Sequence, residues 1–304
     1  MRRRGLLCLL AAGGLVALLA QADQVRESLS EALGLCAGTV IPAQFLFLVM
    51  SSLLVSLGFG ELLAPRLESV MYPLFRVDGA GASALILGLV GGYPIGARTA
   101  AELYKAGQVS KSEAERLLAF TNNANPAFLI SVLGAGVFGS VRTGVWLWLI
   151  HVLSALITGI LFRNYGAGAH AGRRRRPPAV LSVPFPNAFV EAVRGALWTV
   201  LNICAFVAVF YVLARPLKTL GGVWGVLSVG FLELFSVTPM IPNSCMGFCL
   251  AAGLAGWGGL SVLCQTLAIL SDSGLSTRSC ALGKLVQAGV SVLLAVLLSR
   301  YVLG

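Results

Sequence analysis

The sequence predicts an all-α polytopic membrane protein, built as two repeats of transmembrane helices with broken or re-entrant helical hairpins. Three observations carry this. Hydrophobic residues make up 57% of the 304 positions and charged residues only 11%, against about 25% charged in a soluble domain. Mean hydropathy is +0.87. Apolar runs recur along the whole chain, and several reach the roughly 20 residues needed to cross the hydrocarbon. The 36 glycines suit close helix packing and interrupted helices.

The segment 1–22 has a basic start, an apolar run over 5–20 and an Ala-Gln-Ala stretch at 20–22. This fits either a short first membrane helix or a secretory leader; a retained helix is the reading adopted. A first membrane repeat is expected over 23–162, with apolar segments at 38–57, 80–101, 117–138 and 143–162. The piece 60–79 is amphipathic and contains Pro65 and Pro73, which suits an interfacial or re-entrant position rather than a crossing. Residues 163–187 are basic and rich in Gly and Pro and form the one clear linker. A second membrane repeat follows over 188–304, with apolar segments at 188–213, 222–240, 244–271 and 281–303.

The halves share a plan. Each has an amphipathic lead-in, a long apolar helix, a Gly-rich segment (LGLVGGYPIGA, VGFLELFSVTP), a segment with embedded amides (FTNNANPAFLISVLG, GWGGLSVLCQTLAILSDSG) and a closing apolar helix. Internal repeats of this kind mark secondary transporters.

The net charge of +10 does not indicate nucleic-acid binding, which needs a folded basic face. The arginines at 2–4 and 173–176 instead flank apolar segments, as cytoplasmic anchors do. Both clusters cytoplasmic requires an even number of crossings between them, so at least one apolar segment should be re-entrant, unless 60–79 crosses. The breaks around 88–97 and 121–126 are the candidates. The seven cysteines form no Cys-x-x-Cys pair and read as small packing residues. No metal set, nucleophile motif or phosphate loop is present, so neither a metal, a cofactor nor an enzymatic activity is expected.

The chemistry concentrates at the breaks. Gly91, Gly92, Pro94 and Gly96 interrupt the helix around Tyr93. Pro126 removes an N–H and disfavours helix at Asn125. Thr121, Asn122, Asn123 and Asn125 bring three carboxamides and a hydroxyl to the second break. TNNANP alone is a common turn. Here an apolar run follows at once, which favours a break at membrane depth, tolerated only where it is buried in protein or lines a wet cavity. Two facing breaks would form a polar pocket where transporters bind substrate. Glu233, flanked by apolar residues, is either a coupling group for protons or a monovalent cation, or an interfacial residue. Gln265 is either helix glue or a partner of the Asn cluster. His151 reads as a packed, hydrogen-bonded residue. Ser110 and Glu113 form a capping box, and Asp272 ends a helix.

The stretch Gly92, Tyr93, Pro94, Ile95, Gly96, Ala97, the stretch LLAFTNNANP with Phe128, and GLSV at 259–262 with Gln265 resemble the sporulation integral membrane protein YlbJ family. That family lies within the nucleoside-recognition, or Gate-domain, membrane proteins, which are similar in architecture to concentrative nucleoside carriers. The resemblance implies a role in endospore formation: transport of a small anionic or polar solute, dipicolinate, across the outer forespore membrane. It implies substrate-binding residues Tyr93, Pro94, Asn122, Asn123, Asn125, Pro126, Ser261 and Gln265, with Glu233 as the coupling candidate. After Glu233 the family's polar turn is replaced by Leu234, Phe235, Ser236, Val237 and Thr238. Competing expectations are a scaffold for spore-envelope assembly and a nucleoside-type carrier. The partners expected are the solute and the lipid bilayer, with a homo-oligomer admitted and nucleic acid not.

Overall fold

The computed structural model describes residues 2–166 and 184–303. The basic cluster at 173–176, and with it most of the expected cytoplasmic linker, lies outside the described residues. Among those described, all regular structure is helical.

Helix α1 spans Arg2–Ala20. It is followed by α2, Ala22–Leu35, which runs through a π-helical turn into α3, Ile41–Ser56. Helix α4, Phe59–Phe75, takes in the expected amphipathic piece, with Pro65 and Pro73 inside it. Helices α5, Ala82–Gly91, and α6, Ile95–Lys105, are the two arms of the segment broken at Tyr93 and Pro94. Helix α7, Lys111–Leu118, opens with the expected capping box: Ser110 and Glu113 satisfy each other's backbone N–H groups. The chain is then irregular through TNNANP and restarts as a π-helical segment, Phe128–Val137. Helix α8, Val141–Leu161, closes the first half.

The second half opens with α9, Phe185–Ala214, extended by a 3₁₀ turn, Arg215–Leu220. Helices α10, Gly222–Leu232, and α11, Leu234–Val237, meet at Glu233. Helices α12, Cys245–Trp257, and α13, Gly259–Leu270, meet at Gly258. Helix α14, Arg278–Leu303, ends the chain.

Among the described residues, four stretches are long and apolar enough to cross a bilayer: Val141–Leu161, Phe185–Leu220, Cys245–Leu270 and Arg278–Val302. Two further pairs pass only together, each bent by 91°: Arg4–Ala20 with Ala22–Val40, and Leu62–Phe75 with Gly79–Gly91. If each bent pair is one span, the number rises to six. Large apolar side chains on α1, α9 and α14, among them Leu9, Trp198 and Leu297, are exposed, as a lipid-facing surface requires.

The packing explains why the broken segments lie inside. Helix α14 packs along both α12 and α8, and α3 packs along α9. Small residues set these approaches. A Cβ added at Gly256 would lie 2.8 Å from the Ala288 Cα, and one at Gly283 would lie 2.1 Å from the Ala119 carbonyl oxygen. Without a hydrophobic force between helices in lipid, such backbone proximity supplies the van der Waals contact that holds them.

Candidate functional site

The four helix breaks meet. Gly92 has φ 85°, which a side chain would strain, and a Cβ there would lie 2.7 Å from the Asn125 Cβ. Gly88 and Gly96 grip the second break from both sides of the first: a Cβ at either would come within 1.9 or 1.8 Å of the Thr121 carbonyl oxygen. From the second half, a Cβ on Gly258 would sit 3.2 Å from the Tyr93 hydroxyl, and one on Gly259 would sit 3.0 Å from the Leu232 carbonyl oxygen and 3.3 Å from the Glu233 Cα. The glycines therefore let irregular backbone from both halves close on one interior region.

Backbone released from a helix inside protein needs new partners. Side chains supply many of them here. The Ala124 N–H donates to His151 Nε2 at 3.0 Å. The Asn122 carbonyl accepts from Lys284 Nζ at 2.9 Å. The Phe120 carbonyl accepts from Asn123 Nδ2 at 2.8 Å, and Asn125 Oδ1 accepts from the Phe128 N–H at 2.7 Å, capping the π-helical segment. The Tyr93 hydroxyl crosses to the second half and donates to the Ala255 carbonyl at 2.6 Å.

Around this backbone lies a buried side-chain network. Gln287 Nε2 donates to Asn123 Oδ1 at 2.8 Å, and Gln287 Oε1 accepts from Lys284 Nζ at 2.8 Å. Gln287 Nε2 also stands 3.5 Å from His151 Nε2. Asn122 Nδ2 donates to Thr266 Oγ1 at 2.9 Å. Lys284 Nζ lies 5.2 Å from the centre of the Tyr93 ring, within cation–π range. Ser291 and Ser154 extend the polar seam between α14 and α8 through a 2.8 Å bond. Lys284, Gln287, His151, Asn122 and Asn123 are all buried.

Three features leave polar capacity in the network unused. Lys284 brings a basic amine, and among the described residues it forms no ion pair with an acid. Asn122 Oδ1 has no donor. His151 Nδ1 has no partner; because Nε2 accepts, Nδ1 carries the proton in a neutral ring. The arrangement offers one basic amine, one acceptor and one donor.

The residues expected at the site fall into four groups. Tyr93, Pro94, Asn122 and Asn123 lie at the meeting point, with Pro94 buried ahead of α6 and joined to Tyr93 by a cis peptide. Asn125 and Pro126 shape the second break, the former through its backbone cap. Ser261 and Gln265 are buried on α13 but bond to each other, with Gln265 Nε2 donating to Ser261 Oγ at 3.2 Å; the bond to Asn122 comes from Thr266. Glu233 is buried and accepts from the Ser236 N–H, capping α11. Lys284, Gln287 and Thr266 were not anticipated, and His151 bonds the break itself. A lysine within an otherwise apolar spanning helix is the signal that would have found Lys284.

The chain is 28% identical to the sporulation integral membrane protein YlbJ of Bacillus subtilis (strain 168), over 85% of this chain and 74% of that protein. The chain is similar to YlbJ along most of its length. This supports the family resemblance carried by GGYPIG, TNNANP and GLSV, and together with the apolar spans it makes the chain an integral membrane protein. No family model matches the chain, and no solved structure matches it. The similarity to YlbJ covers most of the chain, so it bears on both halves that build the buried site.

Proposed function

We propose that this protein is a membrane transporter for a small anionic or polar solute in endospore formation, with dipicolinate crossing the outer forespore membrane as the leading candidate. The observation that carries the reading is Lys284: a buried basic amine, without an acidic partner among the described residues, placed where four helix breaks meet. Burying an uncompensated charge is costly, and an anionic solute would offset that cost while bound. The name of the B. subtilis relative supports the sporulation setting. Dipicolinate uptake by proteoliposomes holding only this protein tests the reading, with uridine as the probe for a nucleoside-type carrier. Absence of uptake of either would favour the scaffold reading, in which the same bonds only knit the broken helices together.

The two central asparagines should behave differently. Asn122→Leu removes the bond to Thr266 and with it the Nδ2–H donor that a solute carboxylate would accept from, and should weaken dipicolinate binding by roughly 5- to 150-fold, the worth of one buried hydrogen bond of about 1–3 kcal/mol. Asn123→Leu deprives both the Phe120 carbonyl and Gln287 of partners and should lower thermal stability as well. Calorimetry and melting of the purified variants measure both quantities. Wild-type affinity in Asn122→Leu would remove that side chain from the binding site.

We assign Glu233 the coupling role, to protons or a monovalent cation. Glu233→Gln keeps an oxygen for the Ser236 N–H, so α11 should persist. Accumulation driven by an ion gradient should be lost while downhill solute exchange continues. Gradient-driven accumulation at the wild-type rate would leave Glu233 as a helix cap alone.

A further inference from the structure

Beside the site, α10, α12 and α14 leave an apolar groove of about 620 Å³ on the outer surface of the second half. This falls within the roughly 300–1,000 Å³ of small-molecule sites. Trp224, Leu227 and Phe231 form one wall, Gly289 and Val292 the other, and Trp257 lies at the inner end. Among the described residues, none that lines it is charged. Ser228 is the one hydroxyl among the lining residues, so the groove offers a polar solute little to bind.

The two ends of the groove differ in what lies beside them. The Phe231 and Trp257 rings stack at 5.2 Å, and Trp257 Nε1 donates to the Phe231 carbonyl at 2.9 Å, which ties α10 to α12. At the opposite end of the α10 wall, Trp224 is 76% exposed. It follows the turn Arg215–Leu220, where the span from Phe185 ends, a place suited to the aromatic and basic anchors of a membrane interface. Leu217 of this turn lines the groove. Its neighbour Lys218 rests 4.2 Å above the Tyr211 ring and makes no ion pair among the described residues, so its N–H donors remain available. The other cation of the turn, Arg215, is committed to Glu27, Ser28 and the Gln24 carbonyl.

We propose that this groove is a binding site for one acyl chain of an anionic phospholipid, with the phosphate headgroup received by Lys218. The length favours a chain over a helix from a second copy. From Trp224 to Phe231 the wall runs about 10 Å at 1.5 Å per residue, a third of the roughly 30 Å over which a spanning partner helix would lie. Gly289 gives the slot its depth: a Cβ there would meet nothing within 4 Å. The occupying chain braces two of the four breaks, because Leu232 and Trp257 at its inner end directly precede Glu233 and Gly258.

The groove contains its own reporters, Trp224 and Trp257. With Trp146, Trp148 and Trp198 replaced by Phe, the full chain is reconstituted in phosphatidylcholine vesicles. Quenching is compared between phosphatidylglycerol and phosphatidylcholine carrying brominated acyl chains at equal fractions. Brominated phosphatidylglycerol should show about a fivefold higher relative affinity, the contribution expected of one lysine at an anionic headgroup. Lys218→Gln should remove the preference, and Gly289→Leu, which fills the slot, should remove the excess quenching. Equal quenching by the two lipids in the parent, or a preference that survives Lys218→Gln, overturns the proposal. So does chemical cross-linking that places a second copy on α10 and α14.

Discussion

Lys284→Met should abolish dipicolinate binding and transport while leaving a folded, membrane-inserted protein. Methionine keeps much of the length and apolar volume of the lysine stem and removes only the charged head. The head makes two hydrogen bonds, to the Asn122 carbonyl and to Gln287 Oε1, and their loss works against the fold. Removing a buried basic amine that has no acidic partner works in its favour, since desolvating its charged form costs several kcal/mol. The two effects oppose each other, so the melting temperature should change little. Solute recognition has no such compensation. Truncating one member of a buried, hydrogen-bonded charge pair costs about 2–5 kcal/mol, or roughly 30- to several-thousand-fold in affinity. Lys284→Arg keeps the charge but presents a planar fork in place of a compact ammonium, so it should restore binding only in part. Calorimetric titration of dipicolinate into the three purified proteins, alongside their melting curves, separates the contributions. A Lys284→Met protein that binds dipicolinate as well as the parent does would show that the lysine only closes the gap in the Asn122 backbone.

The breaks themselves were readable from the chain because glycine, proline and clustered amides contradict the apolar runs around them. GGYPIG and TNNANP announce that contradiction within a few residues, and both interrupt the helix where they stand. The capping box at Ser110 and Glu113 was readable for the same local reason. What the chain concealed was relative placement. Gln265 seemed the counterpart of the asparagines by its position in the second half, yet Thr266 makes the bond. One residue along a helix is a rotation of about 100°, and that phase is set by the packing of α13. Lys284 was harder still. It lies six residues after Arg278, near the start of α14, where lysines commonly reach out to the interface. It turns inward because Gly283 brings α14 against the Ala119 carbonyl, a contact between residues far apart in the sequence. Glu233, open in the sequence between a coupling group and an interfacial residue, is buried, and its cap on α11 depends on where α10 stops.

Gly96→Ala should be strongly destabilising, although glycine to alanine inside a helix ordinarily stabilises by up to about 1 kcal/mol. Gly96 is the second residue of α6. A Cβ there would stand 1.8 Å from the Thr121 carbonyl oxygen, 2.4 Å from its carbonyl carbon and 3.1 Å from the Asn122 nitrogen. All three are backbone atoms, so no side-chain rotation relieves the overlap. The strand of chain carrying them is held on several sides. The Thr121 N–H and hydroxyl both donate to the Leu117 carbonyl at 2.9 Å, Gly88 closes on the same oxygen from α5, and Lys284 and Thr266 hold Asn122. Overpacking a tight interior costs about 1–3 kcal/mol and sometimes more, which outweighs the helix-propensity gain and reverses its sign. Relief by displacing Thr121 would also pull the Asn122 carbonyl from Lys284, so solute affinity should fall with stability. Gly289→Ala is the matched control, because its Cβ meets nothing within 4 Å and should leave stability equal or higher. Thermal unfolding of the two variants in detergent checks the contrast. Equal melting temperatures for Gly96→Ala and the parent would mean that α6 does not rest on the Thr121 carbonyl, and the convergence of the first two breaks would fall with it.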